Sequence, residues 1–409
     1  MALIAAGAGI ASFSMNFWIP FLPLYMRDLG VEGEARQLFW TALALSSNGI
    51  FRMIGGPIWG VLSDRFGRKP MFVRSLYAAT VTTLIAAFAV APWQITVAMA
   101  CQGLLSGFIP AAIALTSVSV PPTRLTGALG NVQGAQYAGS TVGPAVGALI
   151  AGWVDLRGAI MVGALLPAAA ATLVLLAVPH DRVVARSTEV TVRAHGWRAA
   201  LPRDVRGQFL LGLLLYFMIF TMIDLVRTGA PAALAALAAP ASGTRATGIA
   251  FTISGLASVI GALGLARYVG RPGQFRVSLT IVIAICAIAH VALGLAPTVL
   301  VFTAGYAVAS LARGAMLPAT NTIIAASVPP ERRGTAFGIA AAVQALAFIV
   351  GPMSAALFAT VSLSLGFVAL GALLTVTAVV TFARLREPRL VEQHYATGTA
   401  EASRSGTPA

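Results

Sequence analysis

Twelve apolar runs, each about as long as a membrane-crossing helix, divide this chain and leave little room for anything else. They lie near 2–25, 38–61, 71–90, 95–118, 128–152 and 158–178, then near 209–238, 247–267, 277–295, 298–319, 335–359 and 363–383. Crossing the hydrocarbon core takes about 20 apolar residues, so twelve such spans need about 240 positions. The 409 residues are 58% hydrophobic and 10% charged, where soluble domains carry roughly a quarter charged residues. With a mean hydropathy of +0.86, the chain reads as an all-α membrane protein. The first run starts at Met1 without a basic lead and eleven more follow, so a cleaved signal peptide is not expected.

The net charge of +14 comes from 27 basic residues against 13 acidic ones. Basic residues concentrate in cytoplasmic loops of membrane proteins, so their placement matters more than their number. Alternate loops on one side hold 20, including Arg65, Arg68, Lys69, six arginines between His180 and Arg206, and four after the last run. The other side holds four, Arg27, Arg36, Arg157 and Arg245. Both termini and the central linker are therefore expected in the cytoplasm, and the charge is an orientation signal rather than a nucleic-acid surface. Lys69 is the only lysine and its surroundings do not match a phosphate-binding loop, which argues against an ATP-driven pump. Cys101 and Cys286 lie far apart in apolar runs, so neither a disulfide nor a zinc site is indicated, and no cofactor is expected.

The sequence repeats itself. Ser119-Val-Pro-Pro-Thr-Arg-Leu-Thr-Gly-Ala-Leu-Gly130 matches Ser327-Val-Pro-Pro-Glu-Arg-Arg-Gly-Thr-Ala-Phe-Gly338 at an offset of 208. The same offset pairs Gln136 with Gln344, Gly143-Pro144 with Gly351-Pro352, and Pro23 with Pro231. Six intervening spans give both copies one topology, which predicts two six-helix bundles related by a pseudo-twofold axis along the membrane normal. The expected division is an N-terminal bundle over 1–178, a cytoplasmic linker over 179–206, a C-terminal bundle over 207–386 and a flexible cytoplasmic tail over 387–409. A cavity between the bundles is the expected transport site.

The segment Gly60-Val-Leu-Ser-Asp-Arg-Phe-Gly-Arg-Lys-Pro70, between the second and third spans, resembles the loop signature of the major facilitator superfamily. Pro20-Phe-Leu-Pro-Leu-Tyr25 and Gly139-Ser-Thr-Val-Gly-Pro-Ala-Val-Gly147 resemble patterns of its twelve-span drug:proton antiporter branch. The resemblance implies a rocking-bundle exporter that uses the proton gradient. It implies that Asp64, with Arg65, Gly67 and Arg68, latches the cytoplasmic side shut; the alternative is a topology anchor alone. Met99 stands where the branch commonly has an arginine, and the second-half loop Arg267-Tyr-Val-Gly-Arg271 lacks the aspartate.

Gly139, Gly143 and Gly147 recur every four residues and share a helix face that lets a neighbour approach closely, while Pro144 removes a backbone hydrogen bond. That pattern serves either antiport or ordinary close packing. The informative charges are those inside apolar runs: Arg52, Asp224, Arg227 and Arg313. A charge at mid-membrane costs at least about 2.5–3.5 kcal/mol on insertion scales, so it normally faces a wet cavity or a partner. Asp224 is the one acidic residue well inside a run, and it matches Asn16 at the repeat offset. Asp224 and Arg227, three apart, share a helix face and can pair. They are expected to carry proton coupling, or else to lock helices as a permanent pair. Asn16, Trp18, Arg52, Tyr216 and Arg313 are the expected cavity residues. Phe17, Phe21, Tyr25 and Phe217 line an apolar cavity or face lipid, His290 is expected to pack, and Trp40, Trp93 and Trp153 fit an interfacial belt.

The resulting expectation is a monomeric, proton-coupled exporter of a small amphiphile in the bacterial inner membrane, of multidrug or siderophore type. Three intramembrane arginines against one aspartate make its cavity net positive, which favours an anionic or zwitterionic substrate. A proton symporter importing an organic anion, or a lipid flippase, are the alternatives. No convergent nucleophile and base point to an enzyme.

Overall fold

The computed structural model describes residues 2–105, 107–120, 122–178, 203–239, 242–269, 271, 273–328 and 333–387. Most of the 179–206 linker and the tail from 388 lie outside the described residues. Within them the chain is helical, because a backbone in lipid must satisfy its own N–H and C=O groups.

Six helices precede the linker. They are α1 (Ala2–Asp28), α2 (Glu34–Phe66), α3 (Arg68–Ala87), α4 (Pro92–Leu105 and Phe108–Ser119), α5 (122–154) and α6 (156–177). Six follow it: α7 (Arg203–Leu237), α8 (Gly243–Val269), α9 (Phe275–Gly294), α10 (Val299–Ala326), α11 (Arg333–Ala359) and α12 (Leu363–Arg384). Helix α7 thus starts four residues before the expected bundle boundary.

The breaks within spans have local causes. In α1 a short 3-10 turn, Ile19–Phe21, falls where Pro20 and Pro23 remove two backbone donors. Gly107 takes a left-handed conformation at φ 57 and splits α4. Asp155, at φ 77, separates α5 from α6, and its Oδ1 accepts the Gly158 amide at 2.6 Å, the geometry of a helix N-cap.

Each half has its own apolar core. One gathers Ile4, Phe72, Ile95 and Val174; the other gathers Leu215, Ile283, Phe302 and Phe367. Leu38 and Ala42 of α2 cross over and pack into the second core beside Ala230 and Leu234 of α7, closing the two halves at that end. Leu176, Ile288, Leu300 and Val361 are exposed on the outside, as a lipid-facing surface requires. Trp93 and Trp153 are also exposed, whereas Trp40 is partly buried.

The glycine stripe of α5 packs on the backbone of α1. A Cβ at Gly139 would fall 2.2 Å from Gly9 O, one at Gly143 2.7 Å from Phe13 O, and one at Gly147 2.0 Å from Phe17 O. No side chain fits there without separating the helices. In the second half only Gly351 of α11 survives from this stripe, with Ala347 and Ala355 replacing its neighbours. Its Cβ would meet Thr221 O at 2.9 Å and the Asp224 Cβ at 2.8 Å. Thr221 is the repeat partner of Phe13, so the contact recurs at the offset read from sequence.

Candidate functional site

A cavity of about 160 Å³ lies between the halves, lined by Asn16, Asn48, Arg52, Met99, Arg227 and Phe348 among others. Asp224 reaches it through its pairing with Arg227. The absent side chain at Gly351 leaves the space that the Asp224 Cβ occupies, so a small residue on α11 is what admits the carboxylate to the α7–α11 contact.

Asp224 Oδ1 accepts a hydrogen bond from Arg227 Nη2 one turn along the helix. The Asp224 side chain is 1% exposed, that of Arg227 21%, so one member is sealed and the other edges the cavity. Arg227 also crosses between halves, donating through Nη1 to Asn16 Oδ1 at 3.4 Å. Arg52 donates to Asn48 Oδ1 at 3.0 Å and its guanidinium lies 5.7 Å from the Phe348 ring of the other half.

Each guanidinium is therefore steered by an asparagine of the first half, and each asparagine is pinned to backbone. Asn16 Nδ2 donates to Ser12 O at 2.8 Å, and Asn48 Nδ2 to Met99 O at 2.9 Å. Asp224 Oδ2, Arg52 Nε and Arg227 Nε are buried without a hydrogen-bond partner among the described residues. Two cations and one anion meet at the middle of the bundle, with polar capacity left over.

The other expected cavity residues lie elsewhere. Trp18 is 2% exposed and packs into the core of its own half, as do Phe17 and Tyr25. Tyr25 donates to Ala87 O at 3.0 Å and caps the end of α3. Tyr216 stacks beside Phe220, their ring centres 4.9 Å apart, at the edge of the second half's small apolar cluster. Arg313 acts electrostatically on Asp224 and on His290 from α10 and is not among the residues lining the cavity. His290 is buried and bonds its own helix at Cys286 O, 2.7 Å away. Asn48, Met99, Phe108 and Phe348 line the cavity although the sequence had not singled them out for it. Asn48, four residues before Arg52, was the one such group with a visible signal.

At the loop after α2, Gly67 adopts φ 96, which a side chain would strain. Lys69 is 2% exposed and its Nζ donates to Leu175 O at 2.8 Å, neutralising the carbonyl end of α6. The Arg65 guanidinium lies over the Phe66 ring at 5.6 Å. Arg68 is partly buried, and the side chain of Asp64 lies outside the described residues.

Two duplicated helical bundles with a charged cavity at their interface define a membrane carrier. The Major Facilitator Superfamily matches residues 4–293 and 224–405, and the chain belongs to that family. It is a multi-pass membrane transporter. It is 28% identical over 367 residues to the multidrug resistance protein MdtG of Rahnella sp. (strain Y9602), covering 88% of this chain and 86% of that one. It is 27% identical over 392 residues to MdtG of Salmonella paratyphi C (strain RKS4594), covering 94% and 95%. Among solved structures it resembles a D-xylose-proton symporter, with TM-score 0.73, 19% identity and coverage of 95% and 98%. It also resembles the human organic anion transporter MFSD10 (TETRAN), with TM-score 0.67, 17% identity and coverage of 93% and 98%. At such identities the two structures speak for the fold.

Proposed function

We propose that the chain is a proton-coupled exporter of small amphiphilic molecules, working by alternating access in the bacterial inner membrane, as a monomer with both termini cytoplasmic. The observation that carries this reading is the Asp224–Arg227 pair at the edge of an inter-half cavity. The MdtG relatives, named for multidrug resistance, favour export.

The pair works as a switch. With Asp224 ionised, Arg227 is held between it and Asn16, tying the halves together. A proton on Asp224 removes the charge that holds Arg227, and the contact to Asn16 is then free to break as the halves rock. Only one carboxylate needs to change state, which suits a single buried acid, among the described residues, between fixed cations. The loop at Asp64, Arg65, Gly67 and Arg68 serves as the cytoplasmic latch, with Lys69 fastening it to α6. The glycine face of α5, Gly139, Gly143 and Gly147 with Pro144, keeps α1 in place against it while the halves move.

The test is efflux of unrelated drugs from cells expressing the chain, wild type against Asp224→Asn. Wild type is expected to lower intracellular drug and the variant to lose that effect at equal membrane abundance. Equal efflux by the two removes Asp224 from the mechanism. A second reading, a symporter importing an organic anion with a proton, is favoured by one observation: Arg52 faces the cavity with no acidic hydrogen-bond partner among the described residues.

A further inference from the structure

The central cavity holds an excess of one positive charge. Arg227 is matched by Asp224, while Arg52 bonds a neutral amide and lies by an aromatic ring. A guanidinium at this depth is costly unless an anion or a polar cage compensates it. Its Nε and that of Arg227 have no partner among the described residues, and both side chains line one cavity. Charge-assisted, forked donors of this kind suit a planar oxyanion. The remaining wall is apolar, with Ile19, Leu45, Phe108 and Phe348. Cavities of about 150 Å³ accept a benzene ring, and this one measures about 160 Å³.

We infer that Arg52 and Arg227 form a site for a small carboxylate on an apolar body, and that filling it brings a proton onto Asp224. The step balances simply. The incoming carboxylate takes the Arg227 donors that Asp224 now holds, and the displaced Asp224 carboxylate binds one proton from water, forming one O–H bond. Once Arg227 turns to the incoming carboxylate, the sealed Asp224 side chain keeps no hydrogen-bonded cation, since its second oxygen has no partner among the described residues. Arg227 on its own helix, Arg52 on α2 and Arg313 on α10 act on it as cations. Helix α1 presents the neutral Asn16, α11 presents Gly351, and on α9 His290 is bonded to Cys286 O.

The consequence is a sign. Linkage is reciprocal, so an anion that raises proton binding is itself bound more tightly as pH falls. Such an anion travels with the proton as a neutral pair. Cargo exchanged for protons must instead displace the proton, and is neutral or cationic. The inference rests on Asp224 as the proton-carrying group, not on the direction of export.

The experiment uses the purified full chain in nanodiscs, weakly buffered with a pH indicator, and benzoate as probe. Binding is expected to take up close to one proton per benzoate, with affinity rising by up to tenfold for each unit of pH lowered. Asp224→Asn should still bind benzoate but take up no proton. Arg52→Gln should weaken binding at least about tenfold, and Arg52→Lys less. Benzoate binding with no proton uptake, or with release, overturns the inference. So does Arg52→Gln binding benzoate as wild type does. If Arg52→Gln fails to fold, the wild-type slope of affinity against pH still decides. Ethidium efflux from cells separates the two readings: lost efflux with intact proton uptake removes export alone, and intact efflux without proton uptake removes the anion site alone.

Discussion

The α1–α5 and α7–α11 contacts occupy equivalent places in the two halves, yet they are held together differently. In the first, three glycines bring backbone onto backbone, and the touching stretches, 9–17 and 139–147, carry no charged residue, with Asn16 among them. In the second, two of those glycines are alanines, and the surviving Gly351 sits against Asp224, the repeat partner of Asn16. One half gives up side chains to become a rigid staple. The other gives up some closeness to accommodate a titratable group. On the proposed function, which asks the carrier both to rock and to respond to protons, those tasks are separated between its copies.

The largest effect separating the two contacts should come from breaking the charge pair. Arg227→Gln leaves Asp224 buried without its counter-ion, and loss of one partner of a buried pair typically costs about 3–5 kcal/mol. Reduced thermal stability in detergent is the readout. Adding Asp224→Asn should restore most of the stability without restoring proton coupling, because the stranded charge is gone. If the double variant is as unstable as the single, the pair is not the source of the cost.

Next comes the staple. Gly147→Ala must move α5 off Phe17 O, and overpacking of this kind costs about 1–3 kcal/mol. Ala355→Gly in the second half adds no atom and should cost about 1 kcal/mol or less. Comparable losses of melting temperature in both would contradict the asymmetry.

Smaller again is Asn16→Ala, which removes the bond from Arg227 to the first half and is expected to shift apparent substrate affinity a few-fold, the scale of about 1 kcal/mol. Concentration dependence of transport measures it, and an unchanged affinity removes Asn16 from the site.

The smallest effect is predicted at Glu34, in the second inter-half cavity, about 260 Å³ beside Arg27, Gln37, Ala232 and Ala235. Glu34 keeps an exposed side and is only partly desolvated against the cavity wall, which raises its carboxyl above its ordinary value. A carboxyl that titrates higher folded than unfolded costs stability when ionised, and that cost fades as pH falls through the folded value. Glu34→Gln should therefore raise the melting temperature slightly near neutral pH, with the gain vanishing in acid. A gain that grows in acid reverses the sign.

Much of this was legible in the sequence. The apolar runs set twelve helices, the offset of 208 set the duplication, and the spacing of Gly139, Gly143 and Gly147 announced a close helix contact. Asp224 and Arg227 stood out because charge inside an apolar run is rare. Side-chain direction was less legible. A helix in lipid is apolar on every face, so nothing distinguished Trp18, which turns into its own core, from Phe108 or Phe348, which face the cavity. The split of α4 at Gly107 was hidden for the same reason, since glycine in a membrane helix usually marks packing.

On the proposed function, one proton on Asp224 sets the coupling between gradient and cargo. The most direct test of that role is transport by purified protein in liposomes under an imposed pH gradient. Wild type should drive substrate uphill, while Asp224→Asn should only equilibrate it at a comparable exchange rate. Uphill movement by Asp224→Asn would contradict the account.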